Sequence, residues 1–331
     1  MPVTAKDIAR ELNLSQSTVS RILSGDRNHR VSEQTRHLVW ETAKRVGYQP
    51  NAVARSLRRG KTDIIGVHTN HDYDVRNEFV GTIVGAIQRE CEVRHLDLLL
   101  HSGFTDGLPE TLYGKLRDGR IDGLILHATA EDALVQLLKA SSLPVVTVAD
   151  KVPGLPAVVI DDQGGMRDII ALLWTKGYRK FVYLAPSRLL PSVERRAEAF
   201  DDELVTRGIS PDNRITIRID YEHAEGAVDE IIALGPGWVV CCWNDRTAYN
   251  LLDECYQRGM NIPDDLGVAG FDGFLARKIP RCELVTVQCG WERVAAAALE
   301  KLLILVNRPV DVEKAREDII LPVTVHDGDS A

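Results

Sequence analysis

From residue 62 onward the sequence alternates short apolar segments with stretches of helical spacing, and this alternation leaves few architectures open. The segments IIGVHT, LDLLLHS, DGLILHA, LPVVTVAD and AVVID read as strands, with a helix predicted over 77–94 after the first of them. Strands that are apolar on both faces need cover on both sides. Helices between successive strands supply it, so parallel sheets flanked by helices are expected. Beyond residue 163 the order starts again: a helix over Gly165–Lys176, KFVYLAP, a helix over Val193–Arg207, RITIRID, a helix over Glu222–Leu234, GWVVCCWND, a helix through Gly259, LGVAGFD and LVTVQ. This rough duplication predicts two similar lobes of about 110–130 residues each. An alanine-rich helix over Arg293–Val306 and the strand segment EDIILPVTV come last.

The first sixty residues follow a different pattern. Thr4 is placed to cap a helix over 5–11, with Asp7 completing the capping pair, and Ile8, Ala9 and Leu12 form its apolar stripe. After the Asn13-Leu14 turn, Ser15 caps a second helix through Leu23, which turns Val19, Ile22 and Leu23 inward and leaves Gln16, Ser17, Ser20 and Arg21 outward. Ser32 caps a third, with Leu38, Val39, Ala43 and Val46 at helical spacing and Gly47 as its stop. Two short helices joined by a tight turn describe a helix-turn-helix, whose second helix reads base edges in the major groove. Glutamine, serine and arginine are the side chains that donate to and accept from those edges. A three-helix protein-interaction domain is the alternative on pattern alone.

Charge separates the two regions as well. Residues 1–60 carry eleven Lys/Arg against five Asp/Glu, so of the net charge of −8 the head holds +6 and the remainder −14. A basic head on an acidic body points to a polyanion met by the head only.

The run VTAKDIARELNLSQSTVSRILSG, followed by VSEQTRHLVWETAKRVGYQPNAVARSLRRG, closely resembles the head and hinge of the lac-repressor (LacI/GalR) family over about sixty contiguous residues. The resemblance implies that Gln16, Ser17 and Arg21 read bases, and that Thr18, Ser20 and Asn28 or its neighbours position the head on the duplex. It identifies Pro50–Leu57 with the family hinge, which becomes helical on operator DNA and pairs with its copy in the minor groove. Asn51, Ala54 and Leu57 then belong to the DNA-binding set, with Leu57 as the apolar wedge that opens a base step. Packing of Leu57 on the body is the competing reading. The fold class implied is an all-α helix-turn-helix head (1–49), a hinge helix and linker (50–61), and an α/β two-lobed periplasmic-binding-protein-like body (62–331) with parallel sheets and three crossovers. Lobe 1 is expected at about 62–161 and 291–318, and lobe 2 at about 162–290 and 319–331.

The family's effector positions fall on Phe79, Asp150, Arg196, Tyr221, Asn244 and Asp272, at strand ends where open α/β folds bind ligands. Arg196 is read as the effector clamp, with pairing to Glu194 or Glu198 as its alternative. Tyr221 is read as a stacking face, with plain core as its alternative, and Asp272 as a ligand acceptor or a turn cap. Asp162 and Asp245 are read as structural. The family's Asn-Pro-Phe-Phe turn is Asn77-Glu78-Phe79-Val80 here, and its usual glutamine near the last crossover gives way to Gln288-Cys289-Gly290-Trp291. An arginine, two carboxylates, an amide and an aromatic face suit a sugar, a sugar phosphate or a nucleoside, whereas the departures count against a plain hexose.

Dinucleotide, P-loop, nucleophile-elbow and zinc-protease signatures are missing, so no enzyme activity and no cofactor are expected. His71, Asp72 and Asp74 share a loop and read as solvated. The six cysteines have no C-x-x-C spacing, so no metal is expected, and they read as small core residues. No apolar run nears the roughly 20 residues of a membrane span, and no signal peptide is evident. The expectation is a cytoplasmic homodimer on near-palindromic operator DNA, without membrane association. A soluble sugar- or nucleoside-binding protein with no DNA role is the alternative.

Overall fold

The computed structural model describes residues 3–25, 30–49, 52–69, 77–101, 108–188, 190–221, 223–274, 282–307 and 316–331. Asn28, Asn51, His71, Asp72 and Asp74 lie outside the described residues, and so does the side chain of Ala54. The chain divides into two units, Met1–Asp63 and Ile64–Ala331.

The head is built from α1 (Ala5–Glu11), α2 (Gln16–Leu23), α3 (Glu33–Arg45) and α4 (Ala52–Arg59). Its helix starts are set by side chains. Thr4 N and Oγ1 both donate to Asp7 Oδ2, at 3.0 and 2.7 Å. Ser15 Oγ accepts from Thr18 N at 3.0 Å, and Ser32 Oγ from Thr35 N at 3.1 Å. Such caps satisfy amides that a helix cannot pair internally. Asn13, with φ 52°, makes the left-handed turn between α1 and α2. Ile8, Ala9, Val19, Ile22, Leu23, Val39 and Ala43 form one core. Leu38 is 51% exposed and does not join it. The buried stripe of α3 runs through Val39, Thr42 and Ala43, and a residue one place before that stripe is turned about 100° away.

The body has two six-stranded sheets. In the first lobe β1 (Ile64–Thr69), α5 (Glu78–Val93), β2 (Asp97–His101), α6 (Pro109–Leu116), β3 (Gly123–His127), α7 (Ala133–Lys139), β4 (Val145–Val148) and β5 (Ala157–Ile160) follow in order. The second lobe repeats the scheme with α8 (Asp162–Thr175), β6 (Lys180–Pro186), α9 (Pro191–Thr206), β7 (Arg214–Ile219), α10 (Glu225–Ala233), β8 (Trp238–Cys242), α11 (Asp245–Gln257), β9 (Gly267–Asp272) and β10 (Val285–Gln288). The chain then supplies α12 (Trp291–Asn307), β11 (Ile319–Leu321) and β12 (Thr324–His326). The sheets run β11-β5-β4-β3-β1-β2 and β12-β10-β9-β8-β6-β7. Both are parallel except for the antiparallel β12, and both place their first strand beside their third. Cys91, Cys241, Cys242, Cys255 and Cys289 are buried thiols, while Cys282 is half-buried.

One expectation is corrected by the sheets. EDIILPVTV, read as a single strand with 319–331 in lobe 2, is two strands. Ile319–Leu321 pairs in parallel with β5 of the first sheet, and Thr324–His326 pairs with β10 of the second. Pro322 has no N–H to offer a ladder, so pairing stops there and the chain crosses. The three crossings lie side by side. Asp161 N donates to Leu321 O at 2.9 Å, and Arg293 Nη2 donates to Pro322 O at 2.9 Å.

Gly165, in the first turn of α8, lets that helix close onto the crossing. A Cβ there would stand 2.9 Å from both Val287 Cγ1 and Val323 Cγ2 and 3.0 Å from Phe271 Cζ. Gly165→Ala is therefore expected to destabilise the body by about 1–3 kcal/mol through overpacking, read as a lower urea midpoint at unchanged m-value.

Candidate functional site

Two surfaces carry candidate residues. On the head, α2 exposes Gln16, Ser17 and Arg21, while Thr18 and Ser20 are half-buried. Ser17 Oγ and Thr18 Oγ1 each lie 2.8 Å from Ser15 Oγ, so the N-terminal turn of α2 is held by hydroxyl contacts. α4 is helical, as its alanines and arginines favour. Leu57 on it is 82% exposed. An apolar side chain this open to water gains by burial against another surface.

The second surface is the cleft between the two sheets, about 830 Å³ of non-atom space with its open mouth included. Its walls are the segments that follow the carboxyl ends of the strands: Asn77–Phe79 after β1, His127–Thr129 after β3, Ala149 and Asp150 after β4, Tyr221 after β7, Trp243 and Asn244 after β8, and Asp272 at the end of β9. All six effector positions predicted from the sequence line this one cleft. Strand order reverses beside the first strand of each lobe, which opens a crevice at that point.

The polar groups of the cleft are held by a buried ionic cluster. Asp162, 2% exposed, accepts from Arg195 Nη2 at 2.6 Å, Arg195 Nε at 3.1 Å and Arg196 Nε at 2.8 Å. Arg196 Nη1 donates to the Trp243 carbonyl at 2.6 Å, and its guanidinium carbon lies 3.7 Å from the Phe271 ring centroid. Arg195 also reaches Asp150 Oδ1 at 3.5 Å, and Ser192 Oγ reaches Asp150 Oδ2 at 3.4 Å. Burial pushes the Asp150 carboxyl above the usual carboxylate range, against the pull of Arg195. Glu194 pairs with Arg218 at 3.0 Å rather than with Arg196. Asp245 accepts from Thr286 Oγ1 at 2.5 Å and Phe274 N at 2.7 Å, bonding two later segments to the start of α11.

Aromatic rings supply the apolar walls. Tyr221 meets Trp243 edge to face at 5.4 Å between centroids, and Phe79 meets both Trp291 at 4.8 Å and His127 at 5.1 Å. Ala149, Tyr221 and Asp272 have φ of 68°, 52° and 137°. Left-handed backbone at non-glycine residues costs about 1–3 kcal/mol each and concentrates where a site demands it.

Residues 4–51 match the model of bacterial regulatory proteins, lacI family, and residues 170–331 match that of the periplasmic binding protein-like domain. The chain belongs to the lacI family. It is a DNA-binding regulator with an effector-binding domain. It is 28% identical over 317 residues to the HTH-type transcriptional regulator GalR of Escherichia coli, covering 93% of this chain and 90% of that one. It is 27% identical over 316 residues to catabolite control protein A of Priestia megaterium, covering 93% and 94%. Its fold is that of the lac repressor dimer bound to operator and the anti-inducer ONPF, with a TM-score of 0.82 at 20% identity over 100% of this chain and 99% of that one. A transcriptional regulator CelR–cellobiose complex gives a TM-score of 0.71 at 21% identity, covering 99% and 100%.

Within this lacI-family cleft several lining residues escaped the sequence reading: Arg188, Ser192, Trp243, Arg246, Phe274 and Trp291. All but Ser192 lie within four residues of a strand end, which is the signal that finds them. Asn244 keeps its place with a restriction. Its Oδ1 accepts from Thr247 N at 2.8 Å as the cap of α11, which fixes the amide orientation at the cleft wall. Trp243 Nε1 and Trp291 Nε1 are buried and have no hydrogen-bond partner among the described residues. A buried donor without a partner costs about 1–3 kcal/mol. Among the described residues no group of three or more His, Cys, Asp or Glu is arranged to hold a metal, and no helix is long and apolar enough to cross a membrane.

Asp162→Asn is expected to cost about 3–5 kcal/mol in urea unfolding, because it leaves buried Arg196 without its counter-charge. A second expectation concerns acid. Burial, reinforced by Arg188 and His68, lowers the His127 pKa to about 4, from an ordinary value of 6.5. The unfolded chain therefore binds a proton there that the folded chain refuses. Stability from this group is complete above pH 6.5 and is lost as pH falls toward 4, by up to about 3 kcal/mol. His127→Phe keeps a ring against Phe79 and should flatten that part of the stability–pH curve relative to the parent.

Proposed function

We propose that this regulator is a repressor that binds a near-palindromic operator as a homodimer, and that a small sugar or sugar derivative in the interlobe cleft sets its DNA affinity. The observation that carries the reading is the convergence in one cleft of buried Arg196, the carboxylates Asp150 and Asp272, the Asn244 amide and two aromatic pairs. Directional polar groups together with ring faces are what a cyclic polyol needs. Solved proteins of the same fold support the class, since one holds cellobiose and another ribose. The protein acts by binding rather than by catalysis. Effector bound more tightly in one lobe arrangement than in the other shifts the balance between them, and the paired hinge helices follow.

On DNA, Gln16, Ser17 and Arg21 read base edges, Thr18 and Ser20 position the helix, and the hinge residues Asn51, Ala54 and Leu57 enter the minor groove. The basic head adds a salt-dependent attraction to phosphate.

Selection from a random duplex pool tests this reading. Enrichment of a near-palindrome is expected, with Arg21→Ala losing about 5- to 150-fold in discrimination against the best base change. Leu57→Ala should weaken the enriched duplex while leaving that base discrimination in place. A failure to enrich any sequence, with sugar binding intact, would favour the binding-protein alternative. Sedimentation of a monomer at micromolar concentration, with and without the enriched duplex, would overturn the dimer.

A further inference from the structure

The two unpartnered indoles have a chemical consequence. Trp243 is 7% exposed and Trp291 is 3% exposed, both line the cleft, and neither Nε1 has a partner among the described residues. The buried indole elsewhere behaves differently. Trp238, 4% exposed and outside the cleft, donates its Nε1 to Leu234 O at 3.1 Å. Among the described residues, then, a buried indole N–H outside the cleft is satisfied, and two belonging to residues of the cleft wall are not. Each of these indoles is also braced. Trp243 stands edge to face with Tyr221, at 61° between ring planes, and Trp291 stands edge to face with Phe79, at 84°.

We propose that Trp243 Nε1 and Trp291 Nε1 are ligand donors, and that the effector is a ring compound presenting two acceptor oxygens, one to each indole. The inference rests on the effector reading above and adds two specificity-determining residues to it. An indole N–H only donates, so its partner must offer a lone pair: a ring, glycosidic, carbonyl, carboxylate or hydroxyl oxygen. Trp291 is braced against Phe79 of the first lobe and Trp243 against Tyr221 of the second. One ligand that takes both donors must therefore touch both lobes, and a ring bearing oxygens on two of its edges can do so. The neighbouring ring faces pack against the C–H faces of such a ring. A polyamine fails the same test, because its ammonium groups carry donors and no acceptor.

The experiment uses the full chain labelled with 15N-tryptophan, whose five indole signals are assigned by single Trp→Phe substitutions. The probes are D-glucose, D-galactose, D-ribose, cellobiose and D-glucuronate, with spermidine as the acceptor-free control and the melting midpoint followed in parallel. A ring sugar that raises the midpoint is expected to move the signals of Trp243 and Trp291 while those of Trp40, Trp174 and Trp238 stay in place. Trp243→Phe and Trp291→Phe keep the ring contacts but lose the donor, and each should weaken that sugar by about 3- to 30-fold. A sugar that raises the midpoint without moving either indole overturns the inference and leaves the effector reading standing. Parental affinity in both folded Phe variants does the same. If no ring sugar binds, or if spermidine alone does, the effector reading falls and this inference falls with it. Should a Phe variant not fold, the spectra of the parent chain decide.

Discussion

Two consecutive arginines share one buried carboxylate, and the geometry of the body depends on that arrangement. Asp162 opens α8 directly after the first crossing, and Arg195 and Arg196 lie on α9. Moving three charges out of water is unfavourable unless each finds partners of good geometry. Here Asp162 takes three N–H bonds, Arg196 adds a carbonyl and a ring face, and Arg195 extends to Asp150. Asp150 follows β4 of the first sheet and Asp162 begins the second lobe, so Arg195 spans the crossing. The arrangement balances two guanidinium groups against two carboxylates. It also fixes the Arg196 fork before any ligand arrives, which removes part of the ordering entropy that binding would otherwise have to overcome.

Duplication explains where the remaining site residues stand. Each lobe repeats the strand order 2-1-3-4-5 and adds a sixth strand after its fifth. Each therefore opens its crevice beside its first strand, and two lobes facing one another close a single cleft from two half-sites. The first lobe supplies Phe79, His127 and Asp150, and the second supplies Arg196, Tyr221, Asn244 and Asp272. The positive φ at Ala149, Tyr221 and Asp272 belongs to this demand, since a chain leaving a strand must turn sharply to present a side chain across its end.

Much of this was legible in the sequence, for identifiable reasons. Caps announce themselves, because Ser15 and Ser32 act on amides three residues away and no distant contact is needed. Alternating apolar runs marked the succession of strands and helices, but not the break at Pro322, where an apolar run spans two sheets and only pairing reveals the division. Leu38 and Val39 are equally apolar, and their opposite fates depend on which face of α3 meets α1 and α2. Trp243 ends the apolar run WVVCCW and Trp291 opens α12, places where an aromatic side chain commonly packs into a core. They are indeed buried. Their missing partners appear only when the surroundings of one nitrogen atom are known, which hydrophobic periodicity does not encode.

The crossings limit what an effector can do to the body. Three connecting segments side by side, tied by Asp161 N to Leu321 O and by Arg293 Nη2 to Pro322 O, resist separation and shear of the lobes more than rotation about the line they form. Gly165 adds to the restriction, since α8 approaches Val287 and Val323 there too closely for a side chain. Rotation about that line would open and close the cleft. A ligand that touches one lobe alone has little differential affinity for the two arrangements and cannot shift their balance, however tightly it binds. One held between Phe79 and Trp291 on one side and Tyr221 and Trp243 on the other gains only when the lobes are near. The placement of the aromatic pairs, more than their number, is what would couple a ligand in this cleft to the arrangement of the lobes.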